Sequence, residues 1–248
     1  MKKTVFLPIV TVMFLMVMAA CKGKTDTNTG TDSSSKDEKI TTNNVHILKS
    51  ISYEEGQSRV FIYDEKKRIV RVEDSQYDEV ESYIEIDYSS ENSVTISYDG
   101  GGETFTRSGD TITSFSKRSE TTTTLTLNKE GFISKKVKVY GDGSSGEYTY
   151  QYSGGNLIKE TYPMISEYIY DNMNSIYNCN TPKWLIQYLF DISTDASKNN
   201  VSEVTLHLSD GSTTTYKYDI TYNEDNYPTW IEWGADRGDY FYMSFEYF

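Results

Sequence analysis

Tyr148-Thr149-Tyr150-Gln151-Tyr152-Ser153-Gly154-Gly155-Asn156-Leu157-Ile158 alternates aromatic and polar residues, crosses four small ones and restarts apolar. Period-two alternation puts the three tyrosines on one face of a strand. The Ser-Gly-Gly-Asn run is turn chemistry, so the stretch reads as one β-hairpin.

The device recurs. Taking the last outgoing aromatic or aliphatic residue as position zero, Asn or Gly stands at plus four and an apolar residue at plus six. Tyr88 precedes Asn92 and Val94, Leu127 precedes Gly131 and Ile133, and Tyr152 precedes Asn156 and Ile158. Tyr170 precedes Asn174 and Ile176, and Tyr222 precedes Asn226 and Pro228. Phe105 has its Gly109, while Tyr63 has Ile69 but Lys67 in the turn. A short loop built on a type I turn needs one residue of positive φ before the return strand, which Gly reaches freely and Asn more readily than most. The spacing between copies is uneven, unlike that of a solenoid or propeller, and suggests a meander with strands of varying length.

Other strands show the same period. Ile84, Ile86 and Tyr88 face away from Glu85 and Asp87, and Val94, Ile96 and Tyr98 face away from Thr95 and Ser97. Val137 and Val139 alternate with Lys136 and Lys138 and read as another strand with an apolar inner face. The pattern breaks at 178–200. There Thr181-Pro182 has the form of a helix cap and first turn, and Trp184, Leu185, Tyr188, Leu189 and Ile192 follow at helical spacing. The expected fold is all-β: a long antiparallel meander curled into an open or closed barrel-like sheet. One short helix near 182–190 closes one end or face of it.

Residues 1–20 read as an export signal, with Lys2 and Lys3 before an apolar run from Val5 to Val17. That run is short for a transmembrane helix. Met18-Ala19-Ala20 before Cys21 resembles a bacterial lipobox, which implies acylation of Cys21 and a membrane anchor; plain secretory cleavage near Ala20 is the other reading. Residues 21–44 are Lys, Gly, Thr, Asp, Asn and Ser with little to bury, and read as a flexible tether. Residues 45–248 then form a single antiparallel β domain.

The chain of 248 residues carries a net charge of -13, and loss of Lys2 and Lys3 with the signal takes it near -15. An acidic surface disfavours nucleic acid as a partner. Two histidines, His46 and His207, make neither a triad nor a metal site, and Cys179 has no base to activate it. No metal and no cofactor are expected. Carboxylate pairs suited to glycoside hydrolysis can be drawn in any acidic β protein and carry little information.

From about Ser58 onward the chain resembles a family of Bacteroidetes lipoproteins of unknown function with a porin-like, many-stranded β fold. The carrying features are Tyr63-Asp64 with Arg68-Ile69, Asn128-Lys129-Glu130-Gly131-Phe132-Ile133, the Tyr148–Tyr152 run with Asn156-Leu157, and Ser197-Lys198-Asn199-Asn200. The hairpins also look like the tyrosine-aspartate repeats of bacterial surface shells. The resemblance implies an exported lipoprotein on the periplasmic or cell-surface side of an outer membrane, and brings no catalytic residue. A lipid-embedded barrel fits less well: Glu246 and Ser244, counted back by twos from Phe248, would share a face with Tyr240 and Tyr242.

The candidate ligand contacts are aromatics near the C-terminus: Tyr227, Trp230, Trp233, Tyr240 and Tyr242. Such rings stack on sugars. Trp230 and Trp233 differ in parity, so one regular strand sends them to opposite faces. The expected function is a non-enzymatic binding or scaffolding module for a glycan or an envelope protein. A carboxylate-based polysaccharide hydrolase and a structural envelope protein without a ligand are the alternatives.

Overall fold

The computed structural model describes residues 46–161, 164–190, 194–234 and 240–248. The signal, Cys21 and the tether lie outside these residues, as does Ile192. Sixteen strands follow in chain order: β1 (Leu48–Tyr53), β2 (Gln57–Tyr63), β3 (Ile69–Gln76), β4 (Glu79–Ser90), β5 (Ser93–Tyr98), β6 (Gly101–Ser108), β7 (Thr111–Ser116) and β8 (Thr121–Leu127). Then come β9 (Ile133–Val139), β10 (Ser145–Ser153), β11 (Asn156–Thr161), β12 (Ile165–Tyr170), β13 (Val201–His207), β14 (Thr213–Tyr222), β15 (Pro228–Gly234) and β16 (Tyr240–Tyr247). Each pairs antiparallel with its neighbours in sequence, and β1 pairs with β16 to close a barrel. Closure leaves no exposed sheet edge to template aggregation.

The copies of the hairpin device fall at one rim. The turns β2–β3, β4–β5, β6–β7, β8–β9, β10–β11 and β14–β15 all lie there, and the intervening hairpins turn at the other rim. Their uneven spacing follows from the varying length of the second set. Positive φ occurs at Lys67 (61°), Gly109 (61°), Gly131 (84°) and Asn226 (63°), the expected plus-four positions. Three expectations fail. Asn92, four residues after Tyr88, does not take positive φ. In the β10–β11 turn Gly154 and Gly155 take the left-handed conformation and Asn156 opens the strand instead. Tyr170-Asn174-Ile176 is no hairpin but the start of a long connection, 171–200, between β12 and β13.

That connection enters the barrel. Its helix α1 (Lys183–Phe190) buries Trp184, Leu185, Ile186, Gln187 and Phe190, more than one face. Tyr188 sits 4.6 Å (ring centroids) from Phe105 on β6, and Phe190 lies 5.8 Å from Phe61 on β2. Gln187 bonds to residues of β9 and β10. One helix touching walls so far apart stands in the lumen, and so it plugs the barrel rather than covering it from outside. A sixteen-strand barrel is too wide for wall side chains alone to fill, and the plug supplies the missing core.

A β-bulge on the odd-numbered strand marks four of the six hairpin junctions at this rim; β4–β5 carries its extra residue on β4, and β6–β7 pairs without a shift. In the pairings Tyr63↔Ile69, Leu127↔Ile133, Tyr152↔Leu157 and Tyr222↔Pro228 the next pair skips one residue on the odd-numbered strand. The skip shifts parity, so inward positions on these strands run start, plus three, plus five. Leu48, Ile51 and Tyr53 obey this, as do Ile69, Val72 and Asp74, and Pro228, Ile231 and Trp233. On β9 the rule turns Lys136 inward, where its ammonium lies 4.3 Å from the Tyr148 ring centroid and the residue is buried. Val139 faces out, 42% exposed. The expected apolar inner face of this strand is thus reversed, because the bulge after Ile133 moves everything beyond it by one position.

Candidate functional site

The bulges leave inward-pointing backbone groups that need partners. The wall and the plug share the task. Tyr88 Oη donates to the Ile69 carbonyl (3.0 Å), and Thr181 Oγ1 accepts from the Ile69 amide (2.7 Å). Tyr152 Oη donates to the Ile133 carbonyl (2.8 Å), and Gln187 Oε1 accepts from the Ile133 amide (2.8 Å). The Ser197 hydroxyl accepts from the Leu157 amide (3.2 Å). Tyr63 bonds to the Leu48 carbonyl and Tyr247 to that of Pro228, which has no amide hydrogen to satisfy. Tyr63, Tyr88 and Tyr152 at position zero are therefore braces, while Tyr170 and Tyr222 bond to Ser197 and Asp171 of the connection, and Thr181 serves Ile69 rather than capping α1 as expected.

Asparagines stitch the plug to the rim turns. Asn180 bonds to Lys66 and Lys67 backbone, Asn174 to the carbonyls of Asp225 and Asn226 through side chain and backbone, and Asn156 and Asn199 exchange two bonds. Asp171 accepts from Met173, Asn200 and Tyr222. Below the plug the lumen holds enclosed polar groups. Arg59 pairs with Asp74 (2.6 Å), and Glu103 accepts from Ser114 and Tyr188. Burial pushes the Asp195 carboxyl up to about 8, against the pull of Arg59 and a hydrogen bond from Tyr177. Burial likewise raises the Tyr53 phenol to about 12.

The sequence-expected aromatics divide. Tyr227 is buried, accepts from Asn178 Nδ2 (2.5 Å) and packs edge-on against His46. Trp233 points inward against Tyr218 and Phe241. Trp230 and Tyr242 point outward and stack at 4.6 Å with an interplanar angle of 13°. The Tyr240 side chain lies outside the described residues.

The surroundings of this outer stack are polar. Thr221 and Ser244 flank Trp230, and Glu232 stands opposite Tyr242. The rest of the outer wall is mixed, with Ile62, Phe115, Val139, Ile165 and Ile169 exposed among polar residues. Thr122, Thr124 and Thr126 line β8, and cross-strand ion pairs Arg71–Glu85, Lys135–Glu147 and Lys159–Glu167 decorate other strands. His207 joins the last of these at 3.1 Å from Glu167, on the outer face as expected. A lipid-embedded barrel carries an apolar outer band and a polar lumen, whereas here the lumen holds the apolar core.

Sequence reading missed a basic cleft at the plugged rim. It has a volume of about 440 Å³ and is lined by Lys66, Arg68, Tyr88, Asn92, Arg107 and Trp184, among others. Its cations come from two hairpins distant in sequence, and the turn signal at Lys67 and Gly109 was the only hint that they meet. Burial raises the Cys179 thiol, and His46 is held at 2.6 Å by Asp225. Among the described residues no group of three His, Cys, Asp or Glu is placed to hold a metal.

No known protein family matches the sequence, and no curated protein matches it either. Its fold matches the crystal structure of a porin-like protein from Bacteroides uniformis ATCC 8492 with a TM-score of 0.55 at 15% identity, covering 84% of this chain and 99% of that one. A porin-like protein from Bacteroides vulgatus ATCC 8482 aligns at a TM-score of 0.40 and 11% identity over 82% and 99%. At these identities the likeness is one of fold: the chain is a porin-like, many-stranded antiparallel β-barrel.

Proposed function

We propose that the protein is an exported, lipid-anchored barrel that stands in water and acts as a non-enzymatic binding module for a saccharide. The observation that carries this reading is the Trp230–Tyr242 stack on the outer wall. Aromatic rings held by neighbouring strands lose little entropy on binding, and sugar faces stack on aromatic faces. The lipobox-like Met18–Cys21 run supports anchoring through Cys21 to an outer membrane, and the porin-like fold of a Bacteroides protein agrees with an envelope location. The apolar core in the lumen supports a barrel beside the membrane rather than within it.

The test is titration of the purified protein with neutral oligosaccharides by calorimetry. Saturable binding without release of reducing ends, weakened at least tenfold in Trp230→Ala, supports the module. Turnover of the bound saccharide, or binding unchanged in Trp230→Ala, overturns it. Radiolabelled palmitate supplied to a Gram-negative host tests the anchor, since label must enter the wild-type chain and be lost from Cys21→Ala.

A further inference from the structure

We propose that the cleft at the plugged rim is a second binding site, specific for a sugar carrying an anionic group. The cleft opens between three hairpin turns and the start of α1. Its floor is apolar: Phe105 and Trp184 are buried and 5.7 Å apart. Its mouth is cationic in a protein of net charge -13. Arg68 is fixed by Asp64 (2.6 Å) and lies 4.1 Å from the Tyr88 ring centroid, so its guanidinium is held in a set orientation. Arg107 spends Nε on the Gly109 carbonyl (2.9 Å), which fixes the side chain and leaves both terminal nitrogens to donate. Neither Arg107 nor Lys66 has a carboxylate within ion-pair distance among the described residues, although Glu91 also lines the cleft.

Two uncommitted cations and one fixed guanidinium select an anion, and planar guanidinium donors suit carboxylate, sulfate or phosphate oxygens. The overall negative charge repels anions at long range, so the cleft discriminates by local geometry rather than by steering. A cleft of about 440 Å³ falls within the range of small-ligand sites and accommodates about one sugar ring. Ser90, Asn92 and Ser93 line it and match ring hydroxyls. The fitting class is a sugar acid, sugar sulfate or sugar phosphate, distinct from the neutral ring faces that suit the outer stack.

The purified protein is titrated with galacturonate, glucose 6-sulfate, glucose 6-phosphate, glucose and inorganic sulfate, reading thermal midpoint and heat of binding. At least one charged sugar is expected to bind saturably and better than both glucose and inorganic sulfate, and its source is identified by which of the three does so. The double variant Lys66→Gln/Arg107→Gln, made in exposed side chains, is expected to fold and to lose at least tenfold in affinity. Lys217→Gln on the outer wall keeps wild-type binding, and the double variant keeps the binding of neutral oligosaccharides, which separates this site from the stack. Absence of binding by all three charged sugars, equal response to inorganic sulfate, or unchanged affinity in a folded double variant overturns the proposal.

Discussion

Gln187 of the plug accepts the amide hydrogen of Ile133 in the wall, while its own amide donates to Tyr152, which in turn donates to the Ile133 carbonyl. Both backbone groups of one bulge residue are thus satisfied from inside the barrel. Replacing Gln187 with Leu keeps the volume and strands the Ile133 amide. Denaturant unfolding should show a loss of about 1–3 kcal/mol. Thr181→Val should cost a similar amount through Ile69, whereas Thr205→Val on the outer wall should stay within about 0.5 kcal/mol.

Lys67 holds a left-handed turn position that glycine or asparagine occupies elsewhere on the same rim. A side chain in that region costs about 1 kcal/mol, and asparagine lowers the cost. Lys67→Asn should raise the unfolding free energy by about 0.5 kcal/mol, and Gly131→Ala should lower it by about 1–2 kcal/mol. Equilibrium denaturation of the two variants checks both signs.

Asp195 gives the barrel a pH dependence. Burial raises its folded pKa from 3.8 to about 8, so the stability it contributes is complete below about pH 4 and is lost as pH rises through 8. The thermal midpoint should therefore fall between pH 5 and 8.5 at constant ionic strength, and Asp195→Asn should flatten that slope. Buried phenols set the alkaline limit by the same sign. Tyr63, Tyr168 and Tyr177 are all raised, chiefly by burial, so the tyrosinate absorbance of these buried phenols should appear only together with loss of the sheet signal, as the last part of the rise.

The two tryptophans of β15 should separate stability from binding. Trp233→Ala removes an inward ring packed on Tyr218 and Phe241 and should cost about 2 kcal/mol or more. Trp230→Ala removes only an outer stack and should cost about 1 kcal/mol while weakening the binding of neutral oligosaccharides at least tenfold. Paired denaturation and calorimetry on each variant test the division.

The hairpins, their rim turns and the short helix were legible in the sequence because turn residues and period-two runs are local signals. Closure was not, since the pairing of Ile51 with Phe245 joins the ends of the chain. Face assignment failed on β9, where the bulge after Ile133 reverses the sides of Lys136 and Val137, and no residue type announces a bulge. Tyrosine at position zero was read as a flank of the turn. Its role as a brace depends on a carbonyl fifteen or nineteen residues earlier, which only the structure places beside it. The opposite parity of Trp230 and Trp233 was legible, but the cleft formed by Lys66, Arg68 and Arg107 was not, because its residues share no motif.

The apolar core lies inside this barrel, which we propose stands in water. Purification of Cys21→Ala, which removes the proposed acylation site, is the decisive test. The account predicts a chain that stays in aqueous buffer without detergent, shows a β-sheet spectrum and unfolds in one cooperative transition. Recovery of that variant only in the membrane fraction, with folding that depends on detergent, would contradict it.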